Sequence, residues 1–373
     1  MKNYIYLFVF ILASCQSSNT TTETEEKAQP LLPQWVTYKA KDNAKGKHIL
    51  LISGDEEYRS EEALPQLAKI LTQRHGFDCT VLFAQHADKP GFIDPNHRHN
   101  IPGLEKLAST DIMILFTRFR ELPNEQMQHF EDYLLAGKPL IAIRTATHAF
   151  HFQDTTHAWR HYGFNYKGEK TDWHLGFGKL VLGETWYTHH GHHKQQSTRG
   201  IIAPGAENHP IVNGIENEAI WGPTDVYGIR IPMDGDAQSI ILGQTIDRTE
   251  PFDENDTFYG LREADTKVAT ITGKGENQYN PNDPMPPIAW TKSYQIPNGK
   301  AGKAFTSTIG AATDMADEEV RRLFVNAAYH LLELKVPEKA NVDIIGTYNP
   351  SAYAFESDEH WVELNLQVED YRE

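Results

Sequence analysis

Only two cysteines, Cys15 and Cys79, occur in 373 residues, which excludes a disulfide framework and any multi-cysteine zinc site. Positive charge is scarce as well: 35 Lys and Arg stand against 51 Asp and Glu, giving a formal charge of −16 and a pI of about 5.6. No nucleic-acid partner is expected, because binding phosphates requires a basic face that displaces counterions. The chain has no G-x-x-x-x-G-K-S/T, no G-x-G-x-x-G behind its first strand-like run, no H-E-x-x-H and no G-x-S-x-G. Nucleotide hydrolysis, dinucleotide redox chemistry, zincin proteolysis and a serine esterase elbow therefore have no direct support. What is present, 39% hydrophobic and 23% charged residues, suffices for a packed core.

The N-terminus reads as a targeting segment. Lys2 precedes the apolar run from Tyr4 to Ala13, too short to cross a bilayer as a helix, and Leu12, Ala13, Ser14 and Cys15 resemble a bacterial lipobox. Residues 1–14 are expected to be a signal peptide, with Cys15 lipidated as the membrane anchor in the bacterial cell envelope, periplasmic or surface-facing. Residues 15–46 then serve as a polar, flexible tether. Cys79, inside the run from Phe77 to Phe83, is expected to be a small buried core residue.

From residue 47 short apolar runs alternate with amphipathic stretches, the pattern of a mostly parallel sheet covered by helices. Strands are expected at His48 to Ser53, Phe77 to Phe83, Asp111 to Thr117 and Lys138 to Thr145, with helices at Glu61 to Arg74 and Leu122 to Ala136. Residues 146–235 are dense in His, Gly, Trp and Tyr and lack periodicity, as functional loops often do. Strand-like runs return at Ser239 to Gln244, Lys267 to Thr272, Ile288 to Ser293 and Lys303 to Ile309. Asp317 then caps a helix to Leu334, with Glu318 and Glu319 at its positive end and Val320, Leu323, Phe324, Ala327, Ala328 and Leu331 as its apolar stripe. The remaining residues, 337–373, read as an acidic surface extension.

Histidine is the unusual component: there are 18, most of them between His86 and His209. The densest segment is His189, His190, Gly191, His192, His193. Imidazole serves either as a metal ligand or as a general acid and base, or such a segment is simply a solvated loop. If it is extended, alternation places His190 and His192 on one face, and these two are the candidate ligands for a divalent metal. A second group sits beyond the carboxyl ends of strands, where open α/β sheets bind ligands. Asp55, Glu56, Glu57, Tyr58 and Arg59 follow the first strand, Arg118 the third, and Arg144 and His148 the fourth. For Asp55 and Glu56, helix capping and dipole compensation explain the residue types equally well.

Four segments together resemble the ThuA-like (trehalose utilisation) family: Leu51 to Arg59, Lys138 to His148, His209 to Ile211, and Pro287 to Thr291. The resemblance runs from about 47 to 335. It implies a flavodoxin-like sheet similar to that of class I glutamine amidotransferases, carrying a long His/Trp-rich insertion, over a domain at 47–336. The amidotransferase nucleophile would fall near Thr145 or Ala146, where no cysteine occurs, so amidotransferase chemistry is not expected. The resemblance also implies a role in handling sugars or oxidised 3-keto sugars. One departure is visible: Ile309, Gly310, Ala311 and Ala312 stand where such proteins commonly carry a Gly-His pair. The 190–194 segment, or Asp225 with Tyr227, are the candidate replacements.

Acid and base chemistry beside a sugar carbonyl needs a base and a cation for the developing oxyanion. His148 or His190 is the candidate base, Arg144 or Arg59 the oxyanion partner, and Asp225 a further candidate catalytic group. Glu57, Tyr58, Arg59, Trp173, Trp221 and Tyr227 are the candidate carbohydrate-binding residues, with Trp186 also able to stack on a sugar. Two alternatives stay open: a non-catalytic sugar-binding protein, and a metal-dependent hydrolase using the histidine cluster.

Overall fold

The hydrophobic runs become strands because β-branched and large apolar residues alternate between two covered faces. A computed structural model describes Met1, residues 32–41 and residues 43–372. Its first central strand is β2 (His48–Gly54), hydrogen-bonded in parallel to β3 (Asp78–Phe83) and to β4 (Ile112–Thr117). Ile49 and Leu51 point to one core and Leu50 and Ile52 to the other, as the two-residue period requires. The first core is covered by α1 (Ser60–Gln73) and α3 (Glu318–Leu331), the second by α2 (Asn124–Leu135). Asp317 caps α3 by accepting from the Val320 amide at 2.8 Å, and the expected stripe is buried.

Parallel pairing joins β3, β2, β4, β5 (Leu140–Ile143) and β11 (Gly302–Ser307). Every other pairing in the 11-stranded sheet is antiparallel. The sheet continues from β11 through β10 (Pro287–Tyr294), β8 (Gln238–Asp247), β6 (Gln196–Ile202) and β7 (Ile220–Gly222). The expected mostly parallel sheet is thus a mixed one. Its second half is assembled by hairpin-like returns such as residues 295–301, too short for a parallel crossover.

Several elements differ from the sequence expectation. Trp35–Tyr38, inside the stretch read as tether, is edge strand β1, paired antiparallel with β3. The run at Lys267 keeps only two strand residues, β9 (Lys267–Val268), against β8. The fourth strand stops at Ile143, because Arg144 takes a left-handed backbone at φ 44° and the chain turns into a short helical turn through His148. The acidic 337–373 segment belongs to the same contact unit as the rest of the chain from Leu32. It forms α4 (Asp358–Leu364), buries Tyr353 and Val368, and bonds back to Ile93 and Gly91. Cys79 is a free, buried thiol, as expected. Cys15 lies outside the described residues.

Candidate functional site

The carboxyl ends of β2, β4, β5 and β11 do converge, and the turn after β2 is the first thing they build. Asp55 accepts from the amides of Glu57, at 2.8 Å, and of Tyr58, and from the Thr145 hydroxyl at 2.5 Å. It therefore ties the β2 turn to the β5 turn, with both oxygens engaged and the side chain buried. Glu56 is likewise consumed, held by Arg118 at 2.6 Å and Arg120 at 2.7 Å. Glu57 is different. Among the described residues, the nitrogens nearest its carboxylate in an ion-pair geometry are His193 Nε2 at 3.5 Å and Arg118 Nε at 3.7 Å, both longer than a tight hydrogen bond. Burial first, and the Asp55 charge second, push its carboxyl up to about 7.

The two arginines expected to meet an oxyanion are both committed elsewhere. Arg59 turns away at φ 59° to pair with Glu356 at 2.9 Å and to lie over the Trp361 ring. Arg144 is fully buried between the faces of Tyr58 and Tyr227, 4.0 and 4.3 Å from the ring centroids. It donates to the Thr308 carbonyl at 2.6 Å, the Asp225 carbonyl at 3.2 Å and the Asp225 carboxylate at 3.3 Å. Arg144 is a positioning residue: its charge fixes the loop after β7 and does not face an approaching ligand. Tyr58 and Tyr227 are correspondingly its buried walls, which removes them as direct sugar contacts.

Asp225 is the hub of the site. Its neighbour Thr224 is anchored by Asp314, to which the Thr224 hydroxyl donates at 2.7 Å. Asp314 also takes the amides of Gly310 and Ala311 at 2.8 and 2.9 Å, so the turn without the Gly-His pair serves to hold the Asp225 loop. The buried Asp225 carboxylate meets His189 Nδ1 at 2.7 Å and His193 Nδ1 at 3.0 Å. Burial would raise its pKa, but the hydrogen bonds with His189 and His193, followed by the His189 and Arg144 charges, outweigh that and hold it far below the usual range.

The expected pairing of His190 with His192 is corrected. The segment is a turn and not a strand: the amides of His190 and Gly191 both donate to the Val226 carbonyl, and Lys194 is left-handed at φ 60°. Residues four apart therefore come together, and His189 and His193 face Asp225. His190 points to the Pro281 carbonyl at 2.6 Å and packs at a tilt against Tyr279, while His192 is exposed. His148 does reach the same neighbourhood, its ring packed on Trp186 and Phe119 at centroid distances of 5.2 and 5.0 Å. Burial, then the Arg118, His189 and Arg144 charges, hold it well below its ordinary pKa, so it is neutral.

Of the three tryptophans, Trp186 alone stands beside these histidines, 5.8 Å from the His189 ring. Trp173 is 4% exposed and packs on Tyr162 and His161, and Trp221 is a buried β7 residue against Phe258. Neither belongs to the crevice. Tyr353, from the segment read as a surface extension, stacks on Tyr58 and meets the His193 ring edge-on, both at 5.3 Å. The sequence offered one signal for the true pair, the four-residue spacing of His189 and His193, which a turn can use and a strand cannot.

With this geometry in place, comparison with known proteins gives a family. The ThuA family model, described as trehalose utilisation, matches residues 48–331. No curated protein matches the chain. Among solved structures, a ThuA-like protein of Parabacteroides merdae aligns at 14% identity and a TM-score of 0.44, covering 88% of this chain and 99% of its own. A ThuA-like protein of Bacteroides uniformis aligns at 16% identity and a TM-score of 0.43, covering 79% of this chain and 95% of its own. A cytoplasmic protein of Salmonella typhimurium aligns at 12% identity and a TM-score of 0.37, covering 76% of this chain and 98% of its own. The match over residues 48–331, which takes in the β2 turn, the β5 turn and the Asp225 loop alike, makes the chain a member of the ThuA family, associated with trehalose and carbohydrate utilisation.

Proposed function

We propose that this chain is a lipid-anchored envelope protein that binds a sugar or 3-keto sugar in the crevice above β2, β5 and β7 and acts on it by acid and base catalysis. The observation that carries the reading is Glu57: a nearly buried carboxylate, without a tight partner, facing the imidazole of His193. Glu57 takes the proton from the carbon next to the sugar carbonyl and returns it, or passes it to a leaving hydroxyl, while Trp186 offers a face for the ring. His148, neutral and packed at a tilt against Trp186, lines the same wall. The five parallel strands, with α1 and α3 on one face and α2 on the other, support a flavodoxin-like, amidotransferase-like layering. The anchor is Cys15; no helix among the described residues is long and apolar enough to cross a membrane.

The test is incubation of purified protein with glucosides and their 3-keto forms, followed by product analysis. Glu57→Gln should lower turnover by ~10² to 10⁴-fold with little change in sugar affinity, because proton transfer acts mainly in the transition state. A variant as active as the parent would remove Glu57 from the reaction. Absence of product with retained binding, weakened by Trp186→Ala, would make the protein a binder and not an enzyme.

A further inference from the structure

Proton removal beside a carbonyl creates negative charge on oxygen, and something must stabilise it. Arg144 and Arg59 are spent, and Arg118 is held by Glu56. We propose that His189, His193 and Asp225 bind a divalent first-row transition-metal ion of the zinc or iron(II) class at the mouth of the crevice. The proposal rests on the acid and base reading above for its purpose, but not for its geometry.

Three ligand atoms, one from each side chain, lie within 4.8 Å of one another. Two imidazoles and a carboxylate form a donor set suited to Zn²⁺ or Fe²⁺, and three protein ligands leave a position open for a substrate oxygen. Nδ1 of His189 lies 2.7 Å from Oδ2 of Asp225 and Nδ1 of His193 lies 3.0 Å from Oδ1, whereas a tetrahedral shell with bonds near 2.0 Å has ligand-to-ligand edges of about 3.3 Å, so uptake requires the two rings and the carboxylate to turn towards a shared point.

The surroundings have the arrangement that metal ligands need. A ligating histidine ordinarily presents its second nitrogen to a carboxylate, and His193 presents Nε2 to Glu57 at 3.5 Å. The third ligand is fixed from behind by Arg144 at 3.3 Å and through Thr224 by Asp314. His189 and His193 keep 34% and 29% of their side chains exposed, so the ion is reachable by solvent and substrate while Asp225 is sealed. A metal here polarises the sugar carbonyl and accepts the charge that Glu57 creates. His190 and His192, each one residue from the nearer ligand in the same segment, are turned to the Pro281 carbonyl and exposed, respectively, and make natural controls.

The experiment is elemental analysis of the full-length protein, then chelator stripping and titration with Zn²⁺ and Fe²⁺, without any sugar. The expected result is close to one ion per chain. His189→Gln and His193→Gln should weaken binding by more than the ~10- to 100-fold typical of losing an outer partner, with unchanged circular dichroism. His190→Gln and His192→Gln should bind as the parent does. A folded parent that takes up neither ion, or equal loss of metal in the control variants, overturns the site. Because metal content is read without substrate, a metal-loaded protein that turns over no sugar upholds this proposal and sinks the acid and base reading.

Discussion

A guanidinium enclosed by two tyrosines and a carboxylate sets the energetics at the residue scale. Removing one member of a buried charge pair leaves the other without water or partner, which costs about 3–5 kcal/mol. Asp225→Ala should therefore destabilise the protein by about that amount in urea unfolding, whereas an exposed pair such as Lys303 with Glu333 should contribute no more than about 1 kcal/mol. A second residue-scale prediction concerns acid. Half-burial first, and the charge of His330, whose ring lies tilted at 4.9 Å, second, push His209 down to about 4, and its Nδ1 accepts from the Ile211 amide, which only the neutral ring can do. The unfolded chain then binds more protons than the folded one between about pH 6.5 and 4, so stability rises with pH across that window and falls on acidification. In thermal melts, His209→Gln should reduce that slope. An unchanged slope would show that other groups carry the acid sensitivity.

At the scale of elements, the runs that became β2, β3, β4 and α3 were legible because both their faces or one full stripe had to be apolar. Strands β1, β6 and β7 were not, since an edge strand of four residues and a run as polar as Gln196 to Arg199 carry no periodicity. The same physics divides the site. Arg144 and His148 could be found because polarity directly after a buried strand is conspicuous. That His189 and not His190 faces Asp225 depends on a turn closed by two amides on one carbonyl and by a left-handed Lys194, and neither leaves a mark in composition. Tyr353 was missed because an acidic segment hides one aromatic that is wholly buried. Tyr353→Ala should cost about 3–5 kcal/mol by the cavity it opens. It should also loosen His193, which would appear as weaker metal binding in the titration described above. A variant that loses stability but binds metal as the parent does would limit Tyr353 to packing.

For the molecule as a whole, the proposed anchoring and the folding fall to different cysteines. Cys79 is sealed in the core, and burial pushes its thiol up to about 12. It should react with a thiol reagent only after denaturation; fast labelling of the folded protein would contradict that burial. Cys15→Ser should abolish acyl labelling in cells while leaving the folded core intact, and persistent labelling would end the lipoprotein reading.

The pairing of Arg59 with Glu356 joins residues 297 positions apart, and Tyr353 meets Tyr58 across a comparable separation. Contacts so remote in sequence form late, because the entropy of closing the intervening loop must be overcome before they contribute. A refolding chain will thus regain the pairing of β2, β3 and β4 and its helical signal before it owns a crevice. Capture of the proposed ligand or metal would then serve as a clock for the final docking step, not for collapse.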